Sequence, residues 1–592
     1  MVLALTEPVV RSLNHMSVGG TQVPQNQLSL IRGLRGGTVV YGGARRVQME
    51  SRDRKDQGGK SEPKILQWDG PTPLPPIPEV NFATFMLKHM ESYGDKVAVV
   101  SAETHHCRTF AEVCHLVTRV SGGLASAGVS LGQSILFLSP NHLDYISVML
   151  SIVHRGALLV PANPSFSPED LSHILKVSGS RWAIVYESAV SLAEAAFALL
   201  PAGTLRKMWV LGNEAGGPRL DGLLNCDPLT QEEGRVDPAR TVAIMPFSSG
   251  TTGLPKGIFH SHRNILVPLI TAKYKENFLP RVTLMTLPLC HVYGLFCMLI
   301  TLMFGNTVVL LPRFSPKTLL EAIQNYKVTH LPVAAYIIKH LSETPLLNQY
   351  DISSLKVVTS ASAPLSPKVV STFREKIDVE VMSAFGMSET VYFATQTLLP
   401  TGHSDISIGK VEPYFEAKVV DVESGETLGA GEDGEFHFRG PSIMLGYTDD
   451  SATADTLDAD GWLRSGDVGC YDEDGFLFIK DRLKDMIKVK GFQVSPFELE
   501  ELLRKHPDVA DVAVVGMVHD KLGEAPRAYV VPRPGAVIQP RQLQEFLVGR
   551  VAPYKELAGG VVIVDSLPRN PTGKILKKKL KGNVKDVPTS KL

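Results

Sequence analysis

The sequence predicts an α/β protein: a large N-terminal domain of helix-covered parallel sheets closed by a β-rich subdomain, followed by a small α+β C-terminal domain. Three observations predict it. From about Asn81, short apolar runs alternate with stretches of helical period. Beyond about Gly409 the texture changes to short strands separated by turn signals. After Asp481-Arg482, a last segment of roughly a hundred residues has a pattern and small core of its own. The chain therefore divides into residues 1–65, 66–482 and 483–592.

Taken in order, residues up to about Gln48 hold Arg11, Arg32, Arg35, Arg45 and Arg46 against one acid, Glu7. That composition is like a transit peptide, and an unstructured leader is the alternative, because a Gly-rich segment makes a poor amphipathic helix. Residues 53–78 are charged and then Pro-rich, which reads as a solvated lead-in. The strands KVAVV, SILFLSP, ALLVPANP, RWAIVY, RKMWVLG, TVAIMPF, TVVLLP, THLPV and LKVVTS alternate with helices such as TFAEVCHLVTRVSGGLASAG and HLDYISVMLSIVHRG. The last segment offers the helix SPFELEELLRKHP and the strands VADVAVVGMV and GGVVIV.

Composition excludes several classes. With 60 Lys+Arg against 61 Asp+Glu the net charge is −1, so there is no electrostatic case for nucleic acid as a partner. A chain 44% hydrophobic and 20% charged is not disordered as a whole. Six cysteines without a CxxC pair fit neither a disulfide framework nor a zinc site. The apolar stretch from Val292 to Phe304 is broken by Gly294 and falls short of the roughly 20 residues that span a bilayer, so it reads as a buried helix and no transmembrane segment is expected.

The most informative segment is Ser248-Ser249-Gly250-Thr251-Thr252-Gly253-Leu254-Pro255-Lys256-Gly257, between an apolar strand and a helix. Its glycines free the backbone to wrap an anion, its hydroxyls and N–H groups donate to phosphate oxygens, and Lys256 adds a cation. The P-loop of kinases and GTPases is excluded, because Gly257 stands where that motif needs Ser or Thr after the lysine. Further along, Glu389 can offer Mg²⁺ a hard oxygen near triphosphate. Phe385 presents an aromatic face to adenine, and Asp467 can accept both ribose hydroxyls. His291, at the mouth of the apolar helix, reads in isolation as a packed core histidine.

That loop is followed in order by PLCHVYG (288–294), SAFGMSE (383–389), SGDVG (465–469), DRLKDMIKVKGFQ (481–493) and NPTGK (570–574). From about residue 66 to its end the chain thus resembles the adenylate-forming superfamily: acyl-CoA synthetases, plant 4-coumarate:CoA ligases, beetle luciferases and peptide-synthetase adenylation domains. The resemblance implies that ATP, with Mg²⁺, activates a fatty, aryl-propenoic or oxylipin-type carboxylic acid as an acyl-adenylate, which coenzyme A then converts to a thioester. It assigns Lys574, Lys488, His291 and Gln493 to catalysis. It sets Ser248, Ser249, Gly250, Thr251, Thr252, Lys256, Phe385, Gly386, Ser388, Asp467, Arg482 and Lys484 around ATP and AMP. Tyr293, Ser362, Ser383 and Ala384 then line the acyl pocket, Lys490, Gly491 and Arg313 meet CoA, and Glu389 holds the metal. The C-terminal domain is implied to be mobile about Lys484, presenting Lys574 for adenylation and the 488–493 face for thioester formation.

Departures from the family pattern fall, by resemblance, along the acyl pocket at Ser383-Ala384 and Ala361-Ser362 and at the adenine face at Phe385. Ser383-Ala384 stands where Gln-Gly is usual, Ala361-Ser362 replaces Gly-Ala, and Phe385 replaces Tyr. A luciferase-like monooxygenase would share every motif. A non-enzymatic adenylate-binding scaffold would lack a key group, and Lys256, Glu389, Asp467, Arg482 and Lys574 are all present. A peptide-synthetase adenylation domain is disfavoured because no carrier domain follows Leu592. The ending Ser590-Lys591-Leu592 reads as an address for the peroxisomal import receptor, so the expected location is the peroxisome, with the mitochondrion as the leader's competing suggestion.

Overall fold

The computed structural model describes residues 62–581 apart from 213–219, 221, 230–235, 249–254, 276–281, 362–364, 366, 400–406, 491 and 570–573. Two large sheets form the body. One has eight strands, with a parallel centre made from Ser134–Leu138, Leu158–Ala162, Trp182–Tyr186, Lys207–Leu211 and Val242–Ile244. The other has nine, parallel from Val97–Ser101 through Glu380–Gly386, with antiparallel strands at both edges.

Helices Phe82–Met90, Phe110–Ser126, Tyr145–His154 and Val292–Met303 share one apolar cluster with both sheets. Phe110–Ser126 starts at a reciprocal cap, in which Thr109 accepts the Glu112 N–H and the Glu112 carboxylate accepts the Thr109 N–H. Val292–Met303 is the buried helix its apolar run predicts. Among the described residues no helix is long and apolar enough to cross a membrane. Gly294 is required in it, because a Cβ there would stand 2.6 Å from the Pro288 carbonyl. The run TVAIMPF makes two short strands instead of one, Val242–Ile244 and Phe247–Ser248, with Pro246 between them unable to donate to a ladder.

The β-rich region forms a five-stranded antiparallel sheet of Leu66–Gln67, Glu416–Val420, Gly434–Arg439, Leu463–Tyr471 and Leu477–Arg482. Here the expected solvated lead-in differs: its end is strapped to the body. Leu66 and Gln67 pair with Ala417 and Glu416, Asp69 bridges to Lys410 at 2.7 Å, and the hydroxyls of Tyr274 and Tyr414 donate to the Pro71 and Pro75 carbonyls at 2.5 and 2.6 Å. A proline-rich run has few N–H groups to place but keeps every carbonyl, and tyrosines of the body use them. A fourth sheet, with its own apolar cluster around Ile487, Leu499, Val512 and Val530, lies wholly after residue 486. All six cysteines are free, three of them, Cys114, Cys290 and Cys297, buried.

Asn264 ties the helix His262–Lys275 to the segment behind the site. Its buried amide donates to the Pro441 and Ile443 carbonyls at 2.8 and 2.9 Å, and its oxygen accepts the Ser261 N–H at 2.8 Å. Asn264→Ala strands three buried polar groups, so a loss of about 2–4 kcal/mol is expected. Urea unfolding of the variant beside the parent checks it.

Candidate active site

The antiparallel pairing of Phe247–Ser248 with Lys256–Ser261 sets Ser248 opposite Lys256. Ser249, Gly250, Thr251 and Thr252 lie outside the described residues. On its other edge Lys256–Ser261 pairs with Gly446–Tyr447, and the Gly257 N–H donates to the Thr448 hydroxyl at 3.2 Å. This register sets the Lys256 ammonium 5.7 Å from the Tyr447 ring centre. The Tyr447 hydroxyl in turn donates to Glu389 at 2.6 Å. Burial, reinforced by the Glu389 charge, pushes the Tyr447 phenol up, so it stays a donor. Tyr447 therefore links Lys256 and Glu389, and nothing in the sequence patterns singled it out.

Glu389, 9% exposed, sits in the short turn Ser388–Thr390. The turn is held from behind. Burial keeps His260 down at about 4, so its ring is neutral and Nε2 donates to the Ser388 carbonyl at 2.7 Å. The Met444 N–H donates to the Glu389 carbonyl at 2.9 Å, and the Ser442 hydroxyl to that of Thr390 at 3.0 Å. Val391 follows at φ 67°, a left-handed conformation that a β-branched residue adopts only under constraint. Gly386 admits that turn, since a Cβ there would lie 2.1 Å from the Tyr392 carbonyl. Phe385 is half-buried with its ring 5.6 Å from that of Phe438. Among the described residues no group of three or more His, Cys, Asp or Glu could hold a metal. Glu389 could offer a metal such as Mg²⁺ one hard carboxylate oxygen from this turn.

Opposite strand partners Asp467 and Arg482 form the second centre. Gly466 enters the turn at φ 70° and donates its N–H to Glu435 at 2.8 Å. The Asp467 carboxylate is 4% exposed; one oxygen accepts Arg482 Nε at 3.0 Å, and the other has no hydrogen-bond partner among the described residues. Burial raises the Asp467 carboxyl against the pull of Arg482 and Lys574, and the Asp467 charge in turn raises Arg482 against its own burial. Lys574 converges on this pair: burial first, then the Arg482 cation, pushes its ammonium down to about 8, while Asp467 and Asp485 oppose the shift.

Two of the predicted acyl residues, Ala384 and Tyr293, share a separate small apolar cluster. Ala361, Ala384 and Phe393 are buried in it, with Tyr293 and Tyr392 packed against them. Tyr293 is fixed by donating to the Thr359 carbonyl at 2.9 Å, with its ring 5.4 Å from Phe393. Tyr392 stacks on Phe393 at 3.9 Å and reaches the Cys297 sulfur at 3.4 Å. Ser383 is half-buried on the same strand as Ala384, and Ser362 lies outside the described residues. His291 is half-buried at the N-cap of Val292–Met303, and burial lowers its pKa, so it is neutral. Tyr392 and Phe393 were missed because they follow the SAFGMSE motif instead of belonging to it.

The remaining predicted residues stay on the solvent side. Lys484, Lys488, Lys490, Gln493 and Arg313 are exposed, and Gly491 lies outside the described residues. Lys488 faces Gln493 across a two-strand ladder. A groove of about 570 Å³ is lined by Gly466 of the Asp467 turn together with Leu483, Lys484, Met486, Lys488, Gly523 and Glu524. The structure thus brings Lys574 within electrostatic reach of Asp467 and Arg482, while Lys488 and Gln493 face one another on the ladder of Ile487–Val489 and Phe492–Val494.

Residues 87–448 match the family model described as AMP-binding enzyme, and residues 498–574 the model described as AMP-binding enzyme C-terminal domain. The chain is 34% identical to a peroxisomal OPC-8:0-CoA ligase of Arabidopsis thaliana, over 86% of this chain and 94% of that one. It is also 34% identical to a probable 4-coumarate–CoA ligase of Dictyostelium discoideum, over 85% and 95%. Among solved structures it is similar to an anthranilate CoA ligase, AuaEII, in complex with anthranoyl-AMP, with TM-score 0.76 and 26% identity over 86% of this chain and 97% of that one.

Tyr447→Phe leaves the buried Glu389 carboxylate without that donor, and a destabilisation of about 1–3 kcal/mol is expected. Because the cost arises from an orphaned partner, adding Glu389→Gln to Tyr447→Phe should cost less than the two single changes summed, as a double-mutant cycle in urea will read.

Proposed function

The chain belongs to the AMP-binding enzyme family, and on that premise we propose a division of labour among the residues that activate its acid. It is an ATP-dependent acyl-CoA synthetase, an acid–thiol ligase that works through an acyl-adenylate. The acid's carboxylate attacks the α-phosphorus of ATP, pyrophosphate leaves, and the CoA thiol displaces AMP from the adenylate. The relatives are CoA ligases, which favours this reading over a luciferase-like monooxygenase or a non-enzymatic scaffold. Such chemistry needs positioning and charge neutralisation more than a protein nucleophile.

The observation that carries the residue-level reading is the convergence of Lys574 on Asp467 and Arg482. In this reading the free Asp467 oxygen and Arg482 take the ribose hydroxyls, Phe385 takes the adenine face, and Lys256 takes a phosphate with the loop that follows Ser248. Glu389 holds Mg²⁺, which when bound neutralises phosphate charge. Lys574 meets the carboxylate and α-phosphate oxygens. The module after residue 482 then turns about Lys484 and brings Lys488 and Gln493 to the adenylate, with Lys490, Gly491 and Arg313 toward CoA. His291 and Tyr293 line the acyl entrance. A peroxisomal destination belongs to this reading, supported by the tripeptide Ser590-Lys591-Leu592 and by the name of the Arabidopsis relative.

A pyrophosphate-release screen over an acid panel, with and without CoA, tests the activity. The two half-reactions then separate the lysines. Lys574→Ala should lose about 10²–10³ in adenylation yet still convert supplied acyl-adenylate and CoA to thioester, and Lys488→Ala should do the reverse. A lysine is cationic below its pKa, so with Lys574 at about 8 adenylation kcat/KM should fall as pH rises through about 8. Lys574→Arg should remove that alkaline limb, because a guanidinium stays charged.

Ala384, packed against Tyr293 and Phe393, narrows the acyl pocket in this reading. Ala384→Gly should raise relative kcat/KM toward bulkier acids by about tenfold, the equivalent of about 1.4 kcal/mol. A graded acid series measures it. Deleting 590–592 should abolish peroxisomal import and leave catalysis intact, as imaging of a tagged chain beside an activity assay will register.

A further inference from the structure

Asp481 lies at the junction between two bodies of structure. It belongs to Leu477–Arg482, a strand of the antiparallel sheet that carries Asp467, while Ser495 and the helix Pro496–Leu503 belong to the module built on the fourth sheet. The Asp481 side chain, 8% exposed, crosses between them. One carboxylate oxygen accepts the Ser495 hydroxyl at 2.5 Å and the Phe497 N–H at 2.9 Å, and the other accepts the Arg482 N–H at 2.7 Å. Ser495 is the N-cap of Pro496–Leu503 and accepts the Glu498 N–H at 3.1 Å with the same hydroxyl. A carboxylate from one body therefore caps the positive end of a helix in the other.

That helix leads on to the lysine segment. Glu500, buried on it, accepts the Val514 N–H at 2.8 Å and pairs with Lys577 at 2.9 Å. Lys577, which opens the helix Lys577–Lys581, follows Lys574 by three residues and also acts on the Asp481 carboxyl. On the far side of the module, the Lys339 ammonium donates to the Ala510 carbonyl. A continuous set of contacts thus runs from Asp481 through Ser495, the helix and Glu500 to the segment bearing Lys574.

We propose that Asp481 is a positioning residue for adenylation: its carboxylate, gripping Ser495 and the Phe497 N–H, latches the C-terminal module in the pose that sets Lys574 against Asp467 and Arg482. The proposal rests on the reading that this module turns about Lys484 between half-reactions. A turn there carries Ser495 away from Asp481, so the latch opens before thioester formation and closes again for the next ATP.

Asp481→Asn and Ser495→Ala test it in the full-length chain, with Ser495→Thr as the variant that keeps the hydroxyl. Pyrophosphate release without CoA should slow about tenfold in the first two, while thioester formation from supplied acyl-adenylate and CoA holds or speeds up. Ser495→Thr should stay near the parent. Trypsin cleavage of the folded protein at Arg482, Lys484 or Lys488 should quicken in the same two variants and not in Ser495→Thr. Equal slowing of both half-reactions would make the role merely structural and overturn the latch, as would unchanged hinge cleavage in both variants. If the parent releases no pyrophosphate with any acid, the ligase reading fails instead, and the trypsin comparison still decides whether Asp481 holds the module.

Discussion

A buried carboxylate must be paired, and among the described residues Asp467 is hydrogen-bonded on one oxygen only. Much of the site follows from that. The antiparallel register of Leu463–Tyr471 with Leu477–Arg482 brings Arg482 to it, beside the left-handed turn at Gly466 anchored on Glu435, and its other oxygen stays buried. The same desolvated pair receives Lys574 from the end of the chain. Burial and the Arg482 cation make a permanent ammonium costly there, and Asp467 and Asp485 partly offset that cost.

The second organising element is Tyr447. It belongs to a two-residue strand that no hydrophobic pattern would reveal, yet it joins the cation of the glycine-rich loop to the acid of the Glu389 turn. Neither Lys256 nor Glu389 reaches the other directly through any described contact. The phenol, kept protonated by burial, lets a positive ring neighbour and a carboxylate share one rigid support.

The fold was legible where burial and period coincide. Ser134–Leu138, Leu158–Ala162 and Trp182–Tyr186 are continuous apolar runs because parallel strands covered on both faces need no polar alternation. The site was legible where chemistry is compressed into contiguous motifs, as in SAFGMSE and DRLKDMIKVKGFQ. It was not legible where partners come from distant segments. Tyr447, His260, Asn264 and Glu435 act through register and through single hydrogen bonds to backbone, which leave no local spacing to read. The lead-in misled for a related reason: prolines advertise solvation, while the carbonyls that pin residues 66–75 have no signature in side-chain composition.

That strap bears on how the protein can be handled and how it can vary. Leu66–Gln67 occupies the outer hydrogen-bonding rim of Glu416–Val420, so the strap works as a stopper on a sheet that would otherwise end in unpaired N–H and C=O groups. Such a rim is a template for adhesion between molecules. A start site moved past Pro75, or a protease nick there, would uncover it without touching one residue of the reaction centre. Solubility and turnover are therefore governed by separate stretches of this chain, and one can be lost while the other is kept.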